Sequence, residues 1–305
     1  MTATGASGVY GTPSAELAEV PAGAIQFSPL VPGASALEHL SEGALASMTM
    51  LTPPGTLERH YAMALALRAV APGGVLTVLA PKDRGGTRLR KEMQSFGCAV
   101  SETALRHHRI AICARPAALT GIDEVLSEGG AQLVAGLDLW SQPGVFSWDR
   151  IDPGTALLLQ HLPALSGHGA DFGCGIGILA RALLASENIK KITLIDIDRR
   201  AIDAARRNID DPRVNFSWAD LRDPTPELAG LDFVVMNAPF HDGGSEDKML
   251  ALRFVKRAAE ALRKGGTCWL VANRHLPYEA EMQPLFKRVD LKTQTGSYKI
   301  YEART

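Results

Sequence analysis

A glycine-rich turn between a predicted strand and a predicted helix is the first place in the sequence where chemistry could occur. The segment DFGCGIG covers residues 171–177 and lies where an apolar predicted strand meets a predicted helix. Glycine lets a backbone approach a ligand closely with positive φ, and the start of a helix offers N–H groups that have no partner. Asp196 ends the next predicted strand, where a carboxylate can accept hydrogen bonds from ribose hydroxyls. The spacing therefore predicts a site for a cofactor that contains a nucleoside.

A second polar segment, NAPF at residues 237–240, follows the apolar run of a later predicted strand. The side-chain oxygen of Asn237 and the backbone carbonyl of Ala238 can each accept one N–H. Phe240 can stack on the face of a planar base. Two acceptors on one amino group would aim its nitrogen lone pair at an electrophile by positioning and electrostatics, without a covalent intermediate. The segment therefore predicts chemistry at a planar amino or amide nitrogen.

Together the two segments resemble the S-adenosylmethionine-dependent methyltransferases. D-x-G-x-G-x-G is similar to their motif I, and NAPF is similar to their Asn/Asp-Pro-Pro-aromatic motif, with Ala238 where a proline is usual. A dinucleotide site is the alternative, but Ile178 stands where the third glycine of G-x-G-x-x-G belongs. The resemblance implies S-adenosyl-L-methionine as cofactor and four catalytic residues: Asn237, Ala238, Pro239 and Phe240. The cofactor contacts that it implies are Asp171, Gly173, Cys174, Gly175, Gly177, Asp196, Ile197, Asp220 and Asn237.

Longer segments resemble the bacterial ribosomal RNA guanine-N2 methyltransferases, of the small-subunit methyltransferase C and large-subunit methyltransferase G type. These segments are GVFSWDRIDPGTALLLQHLP (144–163), NAPFHDG (237–243), VANRHLPYE (271–279) and QTGSYKIYEA (294–303). The resemblance spans residues 144–305 and implies methyl transfer to the exocyclic N2 of guanine in ribosomal RNA. It places a further set of residues near the cofactor and the target base: Phe146, Asp152, Gly154, Thr155, Phe240 and His241.

Two other functions stay open on the sequence alone. A class I methyltransferase could act on another amino or amide nitrogen, in DNA adenine, protein glutamine or a small molecule, with the same acceptor chemistry. A binding module could instead keep the cofactor fold without catalysis, although Asn237, Phe240 and the intact glycine loop argue against it. His241 is interpreted as a loop-structuring residue, because a methylated amine is acidic enough to lose its proton to water.

The elements that must position these residues alternate between strand and helix. We predict strands at 169–173, 191–196, 213–218, 231–237, 267–273 and 298–303. We predict helices at 177–186, 198–208, 246–263 and 277–287. Strands that alternate with helices form a mainly parallel sheet with helices on both faces. The predicted fold class is α/β, with a Rossmann-like class I methyltransferase sheet.

An internal repeat predicts a smaller, degenerate methyltransferase-like α/β domain ahead of the catalytic one. ALALRAVAPGGVLTVLAP (64–81) parallels RAAEALRKGGTCWLVANR (257–274) in order and in its paired glycines. Where this domain might carry its own acceptor motif it has Thr52-Pro53-Pro54-Gly55, with neither amide nor aromatic. We expect a loose lead-in at 1–35, the degenerate domain at 36–120 with a role in substrate recognition, a connection at 121–143 and the catalytic domain at 144–305.

Composition excludes several classes of protein. Apolar residues make up 46% and charged residues 21% of 305, which is ordinary for a globular protein and unlike a disordered or fibrous chain. The net charge of −1 requires neither a nucleic-acid nor a membrane partner. A local basic run could still hold RNA phosphates, although a solvated helix face is the commoner meaning of such a run: Lys82, Arg84, Arg88, Arg90 and Lys91.

The placement of charges and cysteines bears on the compartment. No Lys or Arg precedes Arg59, so we expect neither a secretory nor a mitochondrial leader. The four cysteines are scattered without metal-ligand spacing, which favours reduced thiols and no metal. We therefore expect a cytoplasmic protein, and we expect no membrane partner. The resemblance implies RNA as the substrate, and we expect the chain to be a monomer.

Overall fold

The structure, a computed structural model, describes residues 5–223, 228–237, 241–242, 245–246, 248–275 and 278–305. The chain divides into two compact units. The first unit ends at Gly130, and the second spans Ala131–Thr305. Each unit has hydrophobic core clusters of its own. Among the described residues, no helix combines the length and the apolar character that a membrane crossing needs.

The first unit is a six-stranded sheet with three helices. Its strands are β1 (Ala6–Tyr10), β2 (Ile25–Gln26), β3 (Leu45–Leu51), β4 (Val70–Pro81), β5 (Ser101–Leu105) and β6 (His108–Ala114). Its helices are α1 (Thr56–Ala69), α2 (Leu89–Ser95) and α3 (Ile122–Gly129). The strand order is β2-β1-β3-β4-β6-β5, and only the pairs that involve β6 are antiparallel. Helix α1 consists mainly of Ala, Leu and Met, which are strong helix formers, and it ends just before Pro72-Gly73.

The unit boundaries differ from those that the sequence predicts. The range 1–35, expected to be a loose lead-in, contributes β1 and β2 to the first sheet. The sequence ASGVY of β1 is too short and too rich in small residues to show an apolar period. The expected connection at 121–143 is divided between the units, because α3 packs on α1 in the first. At Gly129 in α3, a Cβ atom would lie 2.5 Å from Tyr61 Cβ.

The second unit contains the remaining eleven strands and five helices of the described chain. A small hairpin comes first, formed by β7 (Gln132–Val134) and β8 (Leu139–Ser141). The other strands are β9 (Gly167–Phe172), β10 (Ile189–Asp196), β11 (Val214–Trp218), β12 (Leu231–Asn237), β13 (His241–Asp242), β14 (Ser245–Glu246), β15 (Leu262–Asn273), β16 (Arg288–Gln294) and β17 (Tyr298–Arg304). The helices are α4 (Pro153–His161), α5 (Ile178–Leu183), α6 (Arg199–Asn208), α7 (Lys248–Ala261) and α8 (Tyr278–Met282).

A seven-stranded sheet forms the middle layer of the second unit, in the order β11-β10-β9-β12-β15-β17-β16. Strand β17 runs antiparallel to both neighbours, and the other pairs are parallel. Alternate residues of β12 point to opposite faces. Phe233 and Val235 pack with α4, α5 and α6, whereas Val234 and Met236 pack with α7 and α8. Helices therefore cover both faces, which confirms the predicted fold class.

The internal repeat extends to whole elements. Six elements of the first unit have counterparts in the second unit, in the same chain order. The elements of the first unit are β3, α1, β4, α2, β5 and β6, and their counterparts are β12, α7, β15, α8, β16 and β17. Helices α1 and α7 both have 14 residues, and β4 and β15 both have 12. The first sheet also has the strand order of the second, except that the described part of the first unit has no counterpart of β11. The first unit is thus a reduced copy of the methyltransferase-like sheet.

Candidate active site

The sheet order of the second unit reverses between β9 and β12, and loops that leave the carboxyl ends of such strands form the usual ligand crevice of an open α/β sheet. The glycine loop follows β9, and Asn237 ends β12. A pocket at this point is lined by Phe146, Ser147, Asp152, Thr155, Gly173, Cys174, Gly175, Ile176, Ile178, Leu179 and Asn237. The topology thus brings together the glycine loop and Asn237, the described residue of the NAPF segment.

The glycine loop needs glycine for two different reasons. Gly173, Gly175 and Gly177 all have positive φ, at 69°, 53° and 87°. A Cβ atom on Gly175 would meet no described atom within 4 Å, so that position faces open space at the pocket. A Cβ atom on Gly177 would instead lie 2.8 Å from Ile209 Cδ1, so this glycine serves the packing of α5 against the end of α6. Gly175 is therefore the position where a side chain would enter the ligand space.

Asp196 holds the glycine loop in place. Its carboxylate accepts the Gly175 N–H at 2.8 Å and the Asp198 N–H at 2.9 Å. Burial raises the pKa of Asp196 to about 6, so the group is ionised at neutral pH. The backbone of Ile197 also interacts with this carboxylate. Because a carboxylate can accept about four hydrogen bonds, part of its acceptor capacity remains for ribose hydroxyls. Asp196 thus supports the loop in addition to its predicted cofactor contact.

Asp171 is fully buried beneath the same loop. Neither carboxylate oxygen has a hydrogen-bond partner among the described residues. Burial, with a smaller contribution from the charge of Asp196, raises the pKa of Asp171 to about 8. A buried carboxyl group that lacks partners is costly unless something compensates it. This arrangement suits a ligand that carries positive charge close to the loop.

Of the predicted cofactor residues, Gly173, Cys174, Gly175 and Asn237 line the pocket. The others lie at the same sheet edge but outside its lining: Asp171, Gly177, Asp196, Ile197 and Asp220. The Ile197 carbonyl accepts the Trp218 indole N–H at 2.8 Å. Asp220 follows β11 and forms an ion pair with Arg222 at 2.7 Å. Cys174 does line the pocket, and its thiol is buried.

Asn237 is held in one orientation by residues at the start of α4. Its amide nitrogen donates to Asp152 Oδ1 at 2.8 Å and to Thr155 Oγ1 at 2.9 Å. An ionised carboxylate can only accept, so Asp152 selects the NH₂ group and leaves the amide oxygen as the acceptor. Asp152 also caps α4 by accepting the Thr155 N–H at 3.0 Å. The amide oxygen is thereby available for a donor that enters the pocket.

Aromatic and small residues complete the surroundings of Asp152. Phe146 lines the pocket with 62% of its surface exposed. A Cβ atom on Gly154 would lie 3.0 Å from both Asp152 Oδ1 and a ring carbon of Tyr298. The glycine allows these two side chains to approach each other. The pKa of Tyr298 is raised mainly by burial and, to a smaller extent, by the charge of Asp152. The contact joins the start of α4 to β17.

The remaining predicted catalytic residues, Ala238, Pro239 and Phe240, lie outside the described residues, so their roles stay predictions. For His241 the structure describes only the backbone, which pairs with Glu246 between β13 and β14.

Asn208 is a positioning residue that the sequence does not reveal. Its amide oxygen accepts the Trp140 N–H at 2.7 Å, and its nitrogen donates to the carbonyls of Trp140 and Ile176 at 2.9 and 3.0 Å. It therefore ties the β7–β8 hairpin and the glycine loop to the end of α6. An Asn at the end of a helical pattern is commonly a helix-end signal, so the sequence offers no sign of this link.

Comparisons with known proteins show the family to which this chain belongs. The family model described as "Methyltransferase small domain" matches residues 136–302. A ribosomal RNA small subunit methyltransferase C of Shewanella loihica is 32% identical over 255 residues, which cover 80% of this chain and 72% of the relative. The chain belongs to this methyltransferase family. The Pseudomonas entomophila member is 33% identical over 78% of this chain and 73% of its own length. The Shewanella sediminis member is 40% identical over 52% of this chain and 46% of its own length.

Family membership confirms the predicted enzyme class, that of the S-adenosylmethionine-dependent methyltransferases. Among solved structures, a T. thermophilus 16S rRNA N2-guanine methyltransferase, RsmC, has the same fold with a TM-score of 0.78. The match covers 100% of this chain and 89% of that one at 22% identity. That structure is a complex with AdoMet and guanosine. The match therefore includes both units of this chain, and with them the reduced copy of the sheet in the first unit.

Proposed function

We propose that this chain transfers a methyl group from S-adenosylmethionine to the exocyclic N2 amino group of a guanine in small-subunit ribosomal RNA. The observation that carries the proposal is the fixed orientation of Asn237, whose amide oxygen is left as an acceptor beside the glycine loop. The names of the relatives and the guanosine in the T. thermophilus complex support guanine as the acceptor.

The residues of the pocket fit this cofactor. The open space at Gly175 would admit the methionine part, and the remaining acceptor positions of Asp196 suit ribose hydroxyls. When bound, the cofactor supplies an electrophilic methyl group on a positively charged sulfur. Positive charge near the loop would stabilise ionised Asp171 and lower its raised pKa. The chain thus offers, in Asp171, a carboxyl group whose ionisation a cationic cofactor would favour.

Asn237 would act on the nucleophile. The lone pair of guanine N2 is delocalised into the ring, so the amino group is a weak nucleophile. The Asn237 oxygen can accept one N–H, and the Ala238 carbonyl is predicted to accept the other. These acceptors favour a nitrogen whose lone pair is directed away from the ring, and they stabilise the positive charge that develops on it. Water can take the released proton, so no side-chain base is needed.

Asp152→Asn tests how Asn237 is oriented. Asparagine also caps helices well, so α4 should keep its start, but an amide at position 152 no longer selects the NH₂ group of Asn237. We expect kcat to fall on the order of tenfold, about 1.4 kcal/mol of barrier, with unchanged affinity for S-adenosylmethionine. Asp149→Asn is the matched control, since Asp149 pairs with its exposed neighbour Arg150. Equal kcat values in the two variants would contradict the orienting role.

The substrate class can be tested with purified protein and labelled cofactor. We expect label in small-subunit ribosomal RNA, recovered as N2-methylguanosine, and none in duplex DNA or a glutamine-containing peptide. Label in adenine or in the peptide would instead support the other methyltransferase function. We retain the prediction of a cytoplasmic protein, because the proposed substrate lies in that compartment. The monomeric state also stays a prediction.

We also propose that the first unit recognises substrate and has no catalytic site. In the internal repeat, β3 of the first unit corresponds to β12 of the second. Strand β12 ends at Asn237, whereas β3 ends at Leu51, which is followed by Thr52. Arg59, which is completely buried, donates to the Pro54 carbonyl at 2.8 Å and to both Glu92 oxygens at 2.7 and 2.8 Å. A protein ion pair therefore anchors the loop after β3, and this loop lacks the amide that acceptor chemistry needs.

Part of the basic run remains available for RNA on the surface of the first unit. The exposed residues Arg88, Arg90 and Lys91 form what we term the α2 basic cluster. Arg84 is half-buried and has an interaction of its own. Two other arginines already pair with acids, Arg106 with Glu16 and Arg109 with Glu102. The α2 basic cluster is thus the part of the run best placed to meet phosphates.

Changing the three residues of the α2 basic cluster to Gln should weaken RNA binding. Each lost phosphate contact should flatten the log–log salt dependence of binding by about 0.7 to 0.9 units. The charge-matched control changes Lys190, Lys191 and Lys264, which are exposed at the amino ends of strands in the second unit, to Gln. An unaltered salt slope in the cluster variant, measured by titration at several salt concentrations, would remove the RNA-binding role from this face.

A further inference from the structure

Two of the segments that the sequence singles out, VANRHLPYE and QTGSYKIYEA, contribute little to the pocket around Asn237. The structure brings them together at a second concavity. Its volume is about 470 Å³, and its lining comprises Asn273, Arg274, His275, Gly296, Ser297 and Tyr298. Asn273 is the last residue of β15, and Arg274 and His275 follow it. Gly296 and Ser297 lie in the turn that leads into β17, and Tyr298 is the first residue of that strand. The concavity therefore lies at the same edge of the sheet as the active site.

The backbone of this concavity is held by a network of hydrogen bonds. Arg274 N–H donates to the Ser297 carbonyl at 2.8 Å. Within the turn, the Thr295 N–H donates to the Tyr298 carbonyl at 2.8 Å, and the Tyr298 N–H donates to Thr295 Oγ1 at 3.0 Å. A Cβ atom on Gly296 would meet no described atom within 4 Å, so the turn is open on its outer side. These hydrogen bonds fix the backbone positions of Arg274 and Ser297, from which their side chains extend.

The chemistry of the lining suits an anion. It holds a guanidinium, an imidazole, two hydroxyls and one amide, and it holds no carboxylate among its described residues. Arg274 is exposed, so its charge can reach a ligand. A guanidinium presents several N–H donors in a plane that matches the oxygens of a phosphate. A phosphate diester is therefore the group that this lining would recognise best.

The location links the concavity to the target base. Val271 is the β15 residue that pairs with Asn237, and Asn273 lies two residues further on. Two residues along a strand span about 7 Å, a short distance on the scale of an RNA chain. Tyr298, which belongs to the concavity, also closely approaches Gly154 beside Asp152. The two sites thus share a wall.

We propose that this concavity binds the backbone phosphate of a nucleotide next to the methylated guanine, with Arg274 as its main ligand. The proposal rests on the proposed action on ribosomal RNA. Binding of that phosphate would hold the RNA strand in register while the guanine occupies the pocket at Asn237. Arg274 is accordingly a substrate-binding residue of this site.

The test compares Arg274→Gln with Arg274→Lys and with the control Lys264→Gln. Lys264 is exposed in the same strand β15, but at its amino end. We expect R274Q to raise the Kd and KM for a small-subunit ribosomal RNA fragment on the order of tenfold, with kcat at saturating RNA unchanged. Its log–log salt slope should be shallower by about 0.7 units, the value for one phosphate on a single strand. R274K should keep the wild-type salt slope, and K264Q should match wild type throughout.

Affinity for S-adenosylmethionine, measured by calorimetry, should be the same in all four proteins. If the wild-type chain methylates the RNA but R274Q keeps its KM and salt slope, this inference is overturned and the proposed function stands. If the wild-type chain neither binds nor methylates the RNA, both are overturned.

Discussion

Replacing Asn237 with alanine is expected to lower kcat about a hundredfold and to leave the affinity for S-adenosylmethionine nearly unchanged. The amide oxygen is proposed to accept a hydrogen bond from the reacting nitrogen, and loss of one such acceptor costs on the order of 3 kcal/mol of transition-state stabilisation. The proposed cofactor contacts come mainly from the loop after β9, the strand that neighbours β12. Single-turnover methyl transfer and calorimetry measure the two quantities separately.

The fold should survive this change. Asn237 is half-buried at the end of β12, and Asp152 would still cap α4 through the Thr155 N–H. Asn215→Ala is the matched control, because Asn215 is exposed on β11 of the same sheet. It should have normal kcat. Near-normal turnover of N237A would mean that NAPF is only a turn after a strand, and the acceptor chemistry would have to be assigned elsewhere.

Replacing Gly175 with methionine is expected to weaken S-adenosylmethionine binding at least a hundredfold. The side chain would enter the open space beside the pocket, where the cofactor is proposed to lie. The positive φ of 53° adds backbone strain of about 1–2 kcal/mol for a residue other than glycine. Binding by calorimetry and unfolding by thermal melts separate the two effects.

Gly230→Met supplies the control for strain. Gly230 also has a positive φ, 74°, and a Cβ atom there would likewise meet no described atom within 4 Å. It precedes β12 at the amino end of the strand, away from the cofactor edge. Both variants should therefore lose a similar amount of stability, and only G175M should lose cofactor binding. Equal cofactor affinities in the two variants would show that the glycine loop does not border the ligand.

The sequence predicts the central strands of the second unit well because they are short apolar runs between turn signals. Strands β9, β10 and β12 all lie within a few residues of their expected ranges. Strand β16 is absent from the predicted strands, since RVDLKTQ is polar and half-exposed at a sheet edge. Helix α4 is absent from the predicted helices, although Asp152 followed by Pro153 is a helix-start signal that could have revealed it.

Motif similarity identifies the residues of the site, but it does not show their contacts. Asn237 and Asp152 are 85 positions apart, and their hydrogen bond depends on where α4 packs against the end of β12. The hydrogen bond from the Gly175 N–H to Asp196 likewise depends on the register of β10 beside β9. Residue types therefore predict the chemistry of the site, and tertiary packing decides which side chains orient it.

The proposed methylation of guanine N2 can be tested by mapping methylated nucleosides in ribosomal RNA from cells that lack this protein. We predict that one guanine of the small-subunit RNA loses its N2-methyl group in these cells. The wild-type gene should restore the methyl group, and a gene carrying N237A should not. An unchanged pattern of N2-methylguanosine in the deletion strain, with the protein's loss confirmed, would contradict the proposed function.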